Sequence, residues 1–131
     1  MGQEKTGSVN EAVVKAVGAF GGGIASSGRI CGSLLGGVAF ISSMYGKGNS
    51  EEKDDPKMWR LSHKLTKIFE EMTQPYGSMN CRDIAKVNWK DREAVREFYA
   101  NPDGRRKECI TLVGDLAYAL GEMMEKSEEK T

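Results

Sequence analysis

The feature that most restricts this chain is a run of apolar side chains between Asp55 and Pro75. Met58, Leu61, Leu65, Ile68 and Met72 recur in alternating steps of three and four, and Trp59 and Phe69 widen the stripe. That period gathers the side chains on one face of an α-helix; a strand would scatter them to both faces. Asp55-Pro56 supplies a start: the carboxylate can cap the first turn, and proline at the first helical position lacks only an N–H that would have no partner there. Pro75-Tyr76-Gly77 ends the pattern. A helix with one apolar face must be covered, and the rest of the chain offers further helices as cover.

Ser8-Val9-Asn10-Glu11 reads as a capping box, followed by Ala12, Val13, Ala16, Val17 and Phe20 at helical spacing and then by Gly21-Gly22-Gly23. Ser26-Ser27-Gly28 reads as a turn. A second helix is expected from about Arg29 to Tyr45, with Cys31, Leu34, Leu35, Val38 and Ile41 along one side. Gly32, Gly36 and Gly37 lie on this helix, and small residues at such spacing let another helix come close. Ser78–Val87 is short and polar, with one or two helical turns at Cys81-Arg82-Asp83-Ile84. A helix over Trp89–Tyr99, capped by Asn88, is followed by the turn Asn101-Pro102-Asp103-Gly104. The last helix, about Arg105–Lys126, carries Cys109, Leu112, Val113, Leu116, Leu120 and Met123 on one face. No alternation of useful length suggests a strand. The expected fold is all-α: a single-domain bundle of four to five helices over residues 8–126, between a flexible segment 1–7 and a charged tail 127–131.

Charge narrows the function. Nineteen Lys and Arg balance nineteen Asp and Glu. A neutral chain lacks the cationic surface that displaces counterions from nucleic acid, so no nucleic-acid partner is expected. Residues 16–46 carry a single charge, Arg29, which splits them into pieces shorter than the roughly 20 residues of a spanning helix; no membrane span is expected. The three cysteines, Cys31, Cys81 and Cys109, are odd in number, far apart and in no C-x-x-C pair. This is not a disulfide framework, and it fits a reducing cytoplasm.

Any chemistry runs through those thiols. Cys31 falls near the start of a helix, where the positive end of the dipole favours negative charge; it also reads as a small core residue. Cys109 has apolar neighbours and reads the same way. Cys81 lies between Asn80 and Arg82, past a Pro/Gly turn, where Arg82 can stabilise a thiolate. With His63, the lone histidine, the three cysteines would make a Cys3His zinc set, although no two of these residues share a short loop. Gly18-Ala19-Phe20-Gly21-Gly22-Gly23 lacks the preceding strand and following lysine of a phosphate-binding loop.

The stretch Phe20-Gly21-Gly22-Gly23-Ile24-Ala25-Ser26-Ser27-Gly28-Arg29-Ile30-Cys31-Gly32-Ser33-Leu34-Leu35-Gly36-Gly37 resembles the hallmark segment of the C-GCAxxG-C-C family of putative redox-active proteins. Tyr76-Gly77-Ser78-Met79-Asn80-Cys81-Arg82-Asp83-Ile84 resembles that family's aromatic-Gly-Ser-x-Asn-Cys-Arg stretch, and Cys109-Ile110-Thr111-Leu112-Val113 its last cysteine. The likeness spans about Ser8 to Met123. Ile24 stands where the hallmark has cysteine between Gly and Ala, and Ser8–Phe20 holds no counterpart of the early cysteine. The resemblance implies a helical, prokaryotic redox or metal-binding protein with distant similarity to split-Soret cytochromes, without their haem since no C-x-x-C-H is present. It makes Cys31, Cys81 and Cys109 the catalytic or ligating residues, completed by His63, a water or a partner chain, around a metal ion or iron–sulfur cluster. Gly21, Gly22, Gly23 and Gly28 would shape the pocket wall. An unidentified redox partner is implied. The competing expectation is a non-catalytic helical interaction or homodimerisation protein that has lost the family's redox centre.

Overall fold

The computed structural model describes residues 2–7 and 9–129. Among them are seven α-helices: α1 (Gly2–Thr6), α2 (Glu11–Ala16), α3 (Gly32–Tyr45), α4 (Pro56–Met72), α5 (Cys81–Ala85), α6 (Arg92–Ala100) and α7 (Arg105–Glu129). Two single 3-10 turns, Gly18–Phe20 and Gln74–Tyr76, complete the list. The fold is all-α, with more helices than the expected four to five. The additions are short: α1 and α5 have five residues each and α2 has six. None of these could stand alone in water, where even good helix formers need about 12–15 residues, so tertiary contacts hold them.

The core forms where α3, α4 and α7 meet. Leu34 and Ile41 of α3, Leu61, Leu65 and Phe69 of α4, and Leu112, Leu116, Leu120, Met123 and Met124 of α7 are buried together, with Ile84 of α5. The stripe on α4 therefore faces inward as its period requires, with one exception. Phe69 is wholly buried, whereas Trp59 is 69% exposed and does not widen the buried face. Asp55 caps α4 as expected, its Oδ1 accepting from Lys57 N–H at 2.9 Å, with Pro56 behind it. The close approach expected of α3 is real at Gly37, where a Cβ would stand 2.7 Å from a methyl of Leu65; at Gly36 it would meet nothing.

Other boundaries shift for local reasons. Residues 2–6 are helical, and α2 is capped by Asn10, whose Oδ1 accepts from Val13 N–H at 3.2 Å; Ser8, the cap expected from sequence, lies outside the described residues. The second long helix begins at Gly32 because Arg29 and Ile30 are extended and Cys31 is the N-cap. Asp91, not Asn88, caps α6, accepting from Glu93 and Ala94 N–H. Helix α7 runs to Glu129, past the expected end at Lys126, and buries Ser127. No helix among the described residues is long and apolar enough to cross a membrane.

Candidate functional site

The segment between α2 and α3 is built in the left-handed region. Gly22, Gly23, Ile24, Ala25 and Ser26 have φ of 63°, 71°, 66°, 52° and 59°, and Gly28 has 72°. For a residue with a Cβ this conformation costs roughly 1–2 kcal/mol, and three non-glycine residues adopt it in succession. Backbone hydrogen bonds hold the turn: Ile24 N–H donates to Phe20 O, Ala25 to Ala19 O, Ser26 to Gly21 O, Gly28 to Gly22 O and Arg29 to Gly23 O, all between 2.7 and 3.1 Å. Ser27 Oγ adds a bond to Gly23 O at 2.7 Å. The result is a tight loop that releases Arg29, Ile30 and Cys31 as an extended segment.

That segment pairs with residues from the other half of the chain. Ile30 and Asn80 form an isolated antiparallel bridge, with Cys31 N–H donating to Met79 O at 3.0 Å and Cys81 N–H to Arg29 O at 2.7 Å. Regular antiparallel alternation would put Arg29, Cys31, Met79 and Cys81 on one face of such a pairing. Diagonal neighbours of this kind lie roughly 7–8 Å apart. Two cysteines fifty residues apart in sequence are thus seated beside one another by backbone hydrogen bonds. Gly23 completes the seat: a Cβ there would lie 2.7 Å from Cys81 Cβ and 2.5 Å from Arg29 O. Only glycine allows both the positive φ and the contact.

The third thiol arrives from α7. Cys109 packs against both apolar clusters, including the small one formed by Cys81, Ala85 and Val87. Arg105 ties the two elements together. Its Nη2 donates to Ile84 O at 2.6 Å, its Nη1 pairs with Glu108 at 2.7 Å, and its guanidinium lies 5.4 Å from the Tyr76 ring centroid. All three thiols are free.

Their environments differ. Cys31 is half-buried at the start of the 14-residue α3, with its Sγ 3.0 Å from Ser33 Oγ. Cys81 is buried, and its Sγ accepts the indole N–H of Trp89 at 3.3 Å. Burial raises the Cys81 pKa, the Trp89 N–H lowers it, and the charge of Cys31 raises it again. Cys109 is pushed up to about 11, by burial first and then by the charges of Cys81 and Cys31, with Arg105 opposing. Cys81 is thus within electrostatic reach of Cys31, and Cys109 within reach of both.

Of the remaining residues singled out by sequence, His63 is exposed on α4. Among the described residues no three His, Cys, Asp or Glu side chains gather in a group that could hold a metal ion, so the donor set as placed does not fit a tetrahedral centre. Gly28 lines a surface hollow with Ser26, Arg29 and Arg82. Gly23 fills a contact with Cys81 and Arg29, and Gly21 faces open space. Arg82 turns its Nε to Gly28 O at 3.2 Å, which leaves Trp89 as the donor to Cys81. Trp89, Ser33 and the Ile30–Asn80 bridge were not expected. Eight residues span roughly 12 Å along a helix and roughly 26 Å along a strand, too far for a hydrogen bond in either, so only the fold could reveal the pair.

Comparison with curated proteins and with solved structures finds no match to this chain. A family model does match, over residues 1–123, under the description "Putative redox-active protein (C_GCAxxG_C_C)". That match takes in the left-handed glycine turn, Cys31 and Cys81 beside the Ile30–Asn80 bridge, and Cys109, and the chain belongs to this C_GCAxxG_C_C family.

Proposed function

We propose that the protein is a dithiol–disulfide redox protein in which Cys31 and Cys81 are the exchanging pair and Cys109 lies behind Cys81. One observation supports the reading: the segments that carry Cys31 and Cys81 are joined at the Ile30–Asn80 bridge by main-chain hydrogen bonds from the N–H groups of both cysteines. Diagonal positions at roughly 7–8 Å stand just outside the roughly 4.4–6.8 Å Cα span of a disulfide, so closing the bond asks only a small inward shift of two helix starts.

The chemistry balances with a disulfide as oxidant. The half-exposed Cys31, as thiolate, attacks one sulfur of a substrate disulfide. That S–S bond breaks, one substrate thiolate leaves, and a mixed disulfide forms on Cys31. Cys81 then attacks the Cys31 sulfur, expels the second substrate thiolate and leaves the Cys31–Cys81 disulfide. Two electrons pass to the substrate, and the two protons from the cysteines end on its thiols. Ser33 Oγ, 3.0 Å from Cys31 Sγ, can donate to the attacking sulfur as charge develops. Trp89 does the same for Cys81 and offsets part of its burial.

The test uses an uncharged oxidant. Protein prepared without oxygen and titrated with hydroxyethyl disulfide should lose two thiols per chain, and the Cys109→Ser variant should still lose two. Cys31→Ser and Cys81→Ser should form no intramolecular disulfide. Three thiols that persist through the titration would contradict the reading.

A further inference from the structure

A surface hollow borders the bridge. It is lined by Arg29, Arg82, Lys86 and Lys90, with Asp83 as its acid and Trp89 in its wall. Four cations against one acid is a local excess in a chain whose charges cancel overall. The acid is engaged elsewhere, since Asp83 Oδ2 accepts from Ser78 Oγ. Among the described residues, Arg29, Lys86 and Lys90 have no ion-pair partner. Like charges gathered on one concave surface repel, and they focus field on any anion that enters.

Backbone strain converges on the same place. Among the described residues four non-glycines have positive φ, and two of them, Ser26 and Lys86, line this hollow. Conformations of that kind persist where the surrounding structure forces them, and they gather at binding and catalytic sites. The hollow is also joined to the thiols. Neither cysteine lines it, but two of its residues touch Cys81: Arg29 O accepts from Cys81 N–H at 2.7 Å, and Trp89 donates its indole N–H to Cys81 Sγ.

We propose that this hollow is the substrate site of the redox pair and that it takes a carboxylate-bearing low-molecular-weight disulfide, whose carboxylates are held by Arg29, Lys86 and Lys90. This rests on the dithiol–disulfide reading and names its substrate class. The bound disulfide presents its S–S bond to Cys31. Attack forms the Cys31 mixed disulfide and releases one carboxylate-bearing thiol; resolution by Cys81 releases the other, so one substrate disulfide becomes two thiols while the protein's two thiols become one disulfide.

Two measurements on the full chain test it. In a Trp59→Phe background, where Trp89 is the remaining indole, S-methylglutathione, which carries the carboxylates and cannot exchange, should change Trp89 emission saturably. Added salt or Lys86→Glu/Lys90→Glu should abolish the change. Rates of disulfide formation are then compared for oxidised glutathione, hydroxyethyl disulfide and cystamine, which are anionic, neutral and cationic. The anionic disulfide should react about tenfold faster than the neutral one, and the cationic one slowest. High salt should bring the ratios toward one, which checks the proposal even if the double variant fails to fold. A saturable Trp89 response with no oxidation by any of the three would overturn the redox reading and leave the hollow as a carboxylate site. Equal rates for all three, with no Trp89 response, would overturn the hollow and leave the redox pair standing. Inorganic phosphate that competes as well as the thioether would make this a phosphate site and overturn the substrate class proposed.

Discussion

Where α3, α4 and α7 meet, apolar side chains hold the helices together; around Cys31 and Cys81, backbone groups do. The first region buries Ile41, Leu65 and Phe69 completely and needs no unusual dihedral. The second buries little beyond Cys81, Ala85 and Val87, and depends on positive φ at six residues between Gly22 and Gly28 and on main-chain bonds across the Ile30–Asn80 bridge. Apolar packing is proportional to area and forgiving of small changes in shape. A strained, hydrogen-bonded turn is neither, and one methyl group in the wrong place breaks it. The contrast separates a scaffold from the device it carries.

The largest effect should come from the scaffold. Phe69→Ala removes a wholly buried ring and should cost about 3–5 kcal/mol in denaturant unfolding, with the cysteines losing their fixed surroundings as the core loosens. Gly23→Ala tests the other region with a single methyl group. It meets a φ of +71° and atoms of Arg29 and Cys81 at 2.5–2.7 Å, so it should cost about 3 kcal/mol from conformational strain and overpacking together. It should also push Cys81 away from Cys31 and slow disulfide closure. The same substitution at Gly36, inside α3 with no atom within 4 Å of a Cβ, should instead stabilise by about 0.5–1 kcal/mol. Opposite signs for two Gly→Ala changes would sharpen the comparison; equal signs would break it.

Legibility follows the same division. The α4 stripe, its Asp55-Pro56 start and the inward face of α7 could be read because helical periodicity and capping are local signals. Cys31, Cys81 and Cys109 could be named, since cysteines are few and the family resemblance points at them. The bridge that seats Cys31 beside Cys81 could not be foreseen. It is one residue pair long, too short for any alternation to show, and it made the expected helix from Arg29 begin at Gly32 instead. Left-handed dihedrals at Ile24, Ala25 and Ser26 leave no mark in residue type, because these residues are forced into them by neighbouring bonds and not by preference.

A smaller effect is expected from pH. The Cys109 thiol ionises at its ordinary value, near 9.0, in the unfolded chain and at about 11 in the folded one. Its protonated form is the one folding favours, so the contribution is full below pH 9 and disappears as pH climbs through 11. Cys81, raised as well, adds in the same direction. Denaturation midpoints should therefore fall across this alkaline window, less steeply in Cys109→Ser; midpoints flat from pH 8 to 11 would count against the packing of α7 on α5.

The proposed exchange requires Cys31 and Cys81 to meet. Protein equilibrated with a thiol–disulfide buffer, quenched with acid, alkylated and digested should yield one cross-linked species joining the peptide of Cys31 to that of Cys81, with Cys109 alkylated. Recovery of all three cysteines as alkylated thiols under every buffer ratio, or a Cys109 link in place of Cys31–Cys81, would contradict it.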